Sequence, residues 1–154
     1  MTSIADLLAD HPLFEGLPPG SNELIAGCGR NAHFATGEYL LSADASADEF
    51  FVLRRGHVAI EVDTPRRGPL VVATLGEGEV LGVSWMLPPY RWTFDARAVE
   101  PTSAIALDAS CLRAKCDDDP ALGYELFKRF AGLVRNRLQA ARLQLVDLYG
   151  NDAS

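Results

Sequence analysis

The chain has little cysteine, little histidine and no long apolar run, and each shortage removes a class of function. Three cysteines among 154 residues, Cys28, Cys111 and Cys116, are an odd number at no zinc-like spacing. They are expected as buried or idle thiols of a reducing compartment. His11, His33 and His57 stand far apart, so they offer no metal-ligand pair and no nucleophile–histidine arrangement. The carboxylates fall in turns, caps and helix starts, where capping and solvation account for them. No sign of an enzyme emerges, and no cofactor is implied. The longest apolar stretch is far short of a membrane span. Met1–Asp6 lacks the basic and apolar regions of a secretory signal, so a cytoplasmic protein is expected. A net charge of −7 argues against broad binding to nucleic acid or anionic lipid.

What is present is enough for one domain. Hydrophobic residues make up 48% of the chain, which supports a real core. Residues 1–29 read as N-terminal helices. Ser3–Ala9 carries a possible cap at Thr2 or Ser3, and Asn22–Ala26 follows Ser21 as its cap and ends at Gly27 and Gly29. Residues 30–108 read as strands. Ala32–Ala35, Glu38–Leu41, Glu49–Arg54, His57–Asp63, Leu70–Leu75, Thr93–Val99 and Ser103–Leu107 are short and separated by turn residues. Val58, Ile60 and Val62 alternate with Ala59 and Glu61, as in a sheet with one wet face. Such spacing suits a sandwich, barrel or jelly roll.

Residues 109–149 read as C-terminal helices. A short one starts at Asp108 or Ser110 and runs to about Lys115. The acidic cap Asp117–Asp119 and Pro120 open a long one that Gly150 should end. Along the long helix, Tyr124, Phe127, Ala131, Val134, Leu138, Ala141, Leu145 and Leu148 step by three and four, as a heptad seam does. Leu126, Phe130 and Leu133 form a second apolar strip. One strip can pack on the barrel and the other on a partner, so a homodimer is expected through Phe127, Ala131, Val134, Leu138, Ala141 and Leu145. Lys128, Arg129, Arg135, Arg137 and Arg142 make this segment basic, which reads as a solvated helix face.

The stretch Gly78–Ala98 links these parts. Its glycines suit tight turns, Val83–Leu87 has room for one helical turn, and Pro88-Pro89 stop it. Arg91 follows at once. A short helix with free N–H groups and an arginine nearby can hold an anion. The plain alternative is a glycine turn, a capping helix and a surface arginine.

Gly37-Glu-Tyr-Leu-Leu, Phe51-Val-Leu-Arg-Arg-Gly56-His-Val-Ala-Ile, Leu75-Gly-Glu-Gly78-Glu-Val-Leu-Gly82 and the Asp119-Pro-Ala-Leu helix start, in that order, resemble the cyclic-nucleotide-binding domain of the Crp/Fnr superfamily. The resemblance covers nearly the whole chain. It implies a mainly β fold with helices: a jelly-roll β-barrel with short N-terminal helices and a long C-terminal dimerisation helix. It also implies a ligand site at Gly82, Val83, Ser84, Arg91, Trp92 and Thr93, with a cyclic nucleotide such as cAMP as the possible ligand. Two departures stand out. The family's phosphate-binding cassette carries a glutamate after the glycine matching Gly82, and it accepts hydrogen bonds from the ribose hydroxyl. Val83 cannot, a loss of about 1–3 kcal/mol. The spacing from Arg91 to Ala98 is also one residue longer than usual, and Arg97 is a poorer match for the cassette arginine. Trp85, Tyr90 and Trp92 could stack on a base or fill the hollow a nucleotide would occupy. In the family's transcription factors a winged helix-turn-helix follows the long helix, whereas only Asn151–Ser154 follow Gly150 here.

The expectation is a non-enzymatic regulatory module that senses a small anionic ligand and signals to a protein partner through its long helix, without nucleic acid or membrane. One alternative is a structural interaction module whose aromatic-filled pocket binds no nucleotide. Another is a truncated transcription factor.

Overall fold

The computed structural model describes residues 3–152. Ser3 caps the first helix, α1 (Ile4–Ala9), in a reciprocal box with Asp6. The second, α2 (Ser21–Ala26), is capped by Gly20 in the left-handed region, not by Ser21, whose side chain is buried. A glycine caps there without a side-chain bond because its backbone reaches φ 85° unstrained.

Eight strands follow: β1 (Gly29–Phe34), β2 (Tyr39–Leu41), β3 (Glu49–Arg55), β4 (Val58–Thr64), β5 (Gly68–Leu75), β6 (Val80–Leu81), β7 (Asp95–Ala98) and β8 (Thr102–Asp108). They form two antiparallel four-stranded sheets in the orders β1-β8-β3-β6 and β2-β7-β4-β5. This is the jelly-roll arrangement of a cyclic-nucleotide-binding domain. The sequence reading missed β6, whose two residues pair only with Phe51 and Val52 and are too few to show a period.

In β3, Phe50, Phe51, Val52 and Leu53 are all buried. Successive side chains point to opposite faces. Phe50 therefore meets Trp85 and Phe130, while Phe51 meets Phe34. In β4 the expected alternation fails. Val58, Ala59, Ile60 and Glu61 are buried, while Val62 is exposed. The shift in the β4–β5 ladder does not account for this: the residue it skips, Val72, lies on β5, and β4 stays in continuous register with β7, so Ala59 and Glu61 share one face with Arg97. Glu61 is tolerated inside because Arg97 Nε on β7 donates to its Oε1 at 2.6 Å. That pairing also fixes Arg97, which lies beside β4 and away from the cassette.

Asp108 caps α3 (Ala109–Asp118) by accepting from the Cys111 N–H at 2.8 Å. Asp119 accepts from the Leu122 N–H and starts α4 (Pro120–Asp152). At about 1.5 Å per residue, its 33 residues span roughly 50 Å. Gly150 lies within this helix and does not end it. One glycine costs only about 1 kcal/mol against alanine, too little to stop a long helix.

The cysteine expectation is corrected. Cys28 and Cys111 form a disulfide across 83 residues, and only Cys116 is free. Folding places Cys28 beside the cap of α3, where its carbonyl accepts from the Asp108 N–H at 2.9 Å. No helix of the described residues is long and apolar enough to cross a membrane.

Candidate functional site

The loop after β6 begins at Gly82, whose φ is 103°. A Cβ there would stand 2.6 Å from Cη2 of Trp92, so only glycine permits the indole to pack so closely. The helical turn expected over Val83–Leu87 shrinks to a 3-10 turn, Ser84–Met86, and Val83 supplies no side-chain cap.

Beyond the proline pair, residues 90–92 lie against the loop before β3. Ala47 N–H donates to the Tyr90 carbonyl, Trp92 N–H to the Ala45 carbonyl, and Asp44 N–H to the Trp92 carbonyl. This pairing carries Arg91 outward. Its guanidinium donates to the Asp44 carbonyl at 2.9 Å, and the residue is exposed. The structure therefore brings Gly82 and Trp92 together, keeps Val83 and Ser84 beside them, and sets Arg91 on the outer loop. Thr93 follows Trp92 toward β7.

Behind the loop lies an aromatic cluster. Trp85 stacks on Phe50 with centroids 4.7 Å apart, and Phe130 of α4 meets both edge-on at 5.3 Å. Arg113 of α3 donates to the Trp85 carbonyl and lies over the Tyr90 ring at 4.4 Å. The cluster ties the loop, β3 and α4 into one packed unit.

A cavity of about 350 Å³ remains between the second sheet and α4. Ile60, Val72, Ala73 and Leu75 line it from β4 and β5, with Leu81 and Phe94 beside them. From α4 come Arg137, Ala140, Ala141 and Gln144, and Glu79 completes the lining. None of Gly82, Val83, Ser84, Arg91, Trp92 or Thr93 lines it. Arg137 is partly buried there and donates to the Val80 carbonyl. Burial pulls its pKa below the usual arginine value, and the Glu79 charge opposes that. Among the described residues no carboxylate comes within ion-pair distance of it.

Arg137 was missed as a pocket residue because it was counted with the solvated basic face. A signal was present: Leu126, Phe130 and Leu133 continue at helical spacing to Arg137, Ala140 and Gln144. A barrel-facing strip thus has one arginine in an apolar series. The first part of the strip is buried, with Leu122, Leu126 and Phe130 at 1% exposure or less. The heptad seam runs along the adjacent face of the helix, and its Ala141 reaches the cavity. Tyr124, Phe127, Val134, Leu138, Leu145 and Leu148 are all exposed in the single chain, Leu138 at 49%. Ala131 and Ala141 are exposed with them.

The sequence profile of the cyclic nucleotide-binding domain matches residues 31–119. The HTH-type transcriptional regulator Cmr of Mycobacterium tuberculosis is 26% identical over 117 residues, which are 76% of this chain and 46% of that protein. This chain thus spans just under half the length of that relative. A Geobacter metallireducens GS-15 crystal structure, provisionally assigned as a cyclic nucleotide-binding protein, is 27% identical. It aligns with 90% of this chain and 99% of its own at a TM-score of 0.78. The catabolite activator protein of Thermus thermophilus is 25% identical and covers 90% of this chain and 63% of its own, with a TM-score of 0.69. With the family profile matching more than half of its length and the jelly roll intact, this chain belongs to the cyclic nucleotide-binding domain family of Crp/Fnr type.

Proposed function

We propose that this chain is a non-enzymatic sensing module that works as a homodimer and passes ligand occupancy to a protein partner through α4. The observation that carries this reading is the double role of α4. One face of the helix lines the 350 Å³ cavity, and the adjacent face presents the unpartnered seam, with Ala141 on the border between them. A ligand touching Arg137 or Ala141 touches the element that meets the second copy. An apolar stripe of this length is unfavourable in water unless covered. The names of the relatives, transcriptional regulator and catabolite activator, support regulation. The net charge of −7 favours a protein partner over duplex DNA for this chain itself.

The test is oligomeric state. Multi-angle light scattering should find the wild type dimeric and Leu138→Asp monomeric, since the charge would be buried at the centre of the seam. A monomeric wild type, or a dimeric Leu138→Asp with native circular dichroism, refutes the reading.

A second reading, an interaction module that binds no nucleotide, is favoured by the Trp92 indole packed on Gly82. Titration with cAMP separates the two. Tight binding by the wild type removes the second reading. A tenfold gain in Val83→Glu also removes it, because a carboxylate restores a hydrogen bond but cannot relieve a steric block.

A further inference from the structure

Arg137 is the only cation lining the cavity beneath α4, and Glu79, the one carboxylate in that lining, is not within ion-pair distance of it. Its guanidinium has five N–H donors. It donates to the neutral Val80 carbonyl, and no carboxylate pairs with it among the described residues. A partly desolvated charge facing a neutral acceptor is poorly compensated. Around it the lining is largely hydrocarbon: Ile60, Val72, Leu75, Leu81, Phe94 and Ala141.

We infer that this cavity takes a small amphipathic carboxylate, an apolar body with one anionic end, held by Arg137. The inference rests on the sensing reading and names the ligand class for it. A carboxylate matches the guanidinium fork with two parallel hydrogen bonds. One anionic end matches the single cation of the lining, and each further negative charge would add repulsion from Glu79. A hydroxyl-rich ligand such as a cyclic nucleotide would leave several polar groups unpaired against the apolar lining, where only Arg137, Glu79 and Gln144 can answer them. The volume lies at the low end for small-molecule sites, which suits a compact chain or ring. The apolar body contacts β4 and β5 while the head contacts α4, so occupancy ties the helix to the barrel.

The experiment is calorimetric titration of the full chain with decanoate below its micellar range, with decan-1-ol and with cAMP. Wild type should bind decanoate saturably and decan-1-ol at least tenfold more weakly. Arg137→Gln should reduce decanoate to the level of the alcohol and leave the alcohol unchanged. Ala73→Phe fills the cavity from β5 and keeps the charge, so it should abolish both, with its circular dichroism and melting unchanged. Should Arg137→Gln fail to fold, Ala73→Phe carries the test alone. Equal affinity for acid and alcohol, decanoate binding indifferent to Arg137→Gln, or binding that survives Ala73→Phe overturns the inference. So does tight cAMP binding without decanoate binding, an outcome that leaves the sensing reading standing. A monomeric wild type in light scattering removes the sensing reading and leaves the ligand class to be judged by the titration.

Discussion

Phe130→Ala should be the most damaging single truncation on α4. Phe130 is 1% exposed and meets Phe50 and Trp85 edge-on, both at 5.3 Å. Truncating a buried phenylalanine costs about 3–5 kcal/mol through lost burial and the cavity left behind. The two edge-to-face contacts, about 0.5–1.5 kcal/mol each in such pairs, place it in the upper half of that range. At roughly 2–4 °C per kcal/mol for a chain of this size, melting should fall by about 8–20 °C. Urea unfolding followed by circular dichroism, at fixed protomer concentration, reads the change as a lower midpoint with an unchanged slope. Phe130→Leu keeps most of the apolar area and loses the ring edges, so it should cost less than half as much. The reasoning fails if Phe130→Ala costs under about 1.5 kcal/mol, or if leucine is as damaging as alanine. The first result would mean that α4 is not anchored through this cluster. The second would mean that ring shape and geometry, not area, hold the site.

Further outcomes follow from the helix cap and the cysteines. The Asp108 pKa is lowered, first by the Cys111 N–H and then by Ser110 and Arg113. A carboxylate held lower in the folded chain stabilises it above the unfolded value of about 3.9, and this is lost as pH falls through the folded value. Asp108→Ala should cost about 1 kcal/mol at pH 7 and less in acid, and melting curves that differ equally at both pH values count against the cap. Thiol titration of the unfolded chain should find one reactive group before reduction, Cys116, and three after it. Burial, then Asp117 and Asp119, push the Cys116 thiol pKa up, so alkylation of the folded chain at pH 7 should be slow. Reducing the bridge, which spans 83 residues, should cost up to about 4 kcal/mol in urea unfolding, and an unchanged midpoint refutes this.

Local chemistry was readable in the sequence by itself. Ser3 with Asp6 announces a capped helix, Asp108 and Asp119 announce two more, and the strand runs between turn residues announce an all-β middle. Short-range bonds and side-chain period decide such features. The seam on α4 was readable for the same reason, because helical period sorts faces before any partner is known. Tertiary structure decided everything that depends on two distant segments meeting. Glu61 is buried beside Arg97 of β7 while Val62 is exposed, and neither shows in the alternation. Cys28 and Cys111 meet only because β1 ends up beside the cap of α3. Arg91 looked like the anion ligand because it follows the glycine turn, yet residues 90–92 pair with residues 44–47 and carry it outward. Arg137 looked solvated because it lies among other basic residues. Only the packing of Phe130 against Trp85 and Phe50 sets the rotation of α4 that turns Arg137 toward the sheet. A helix period identifies which residues share a face, and the packed barrel decides what that face meets.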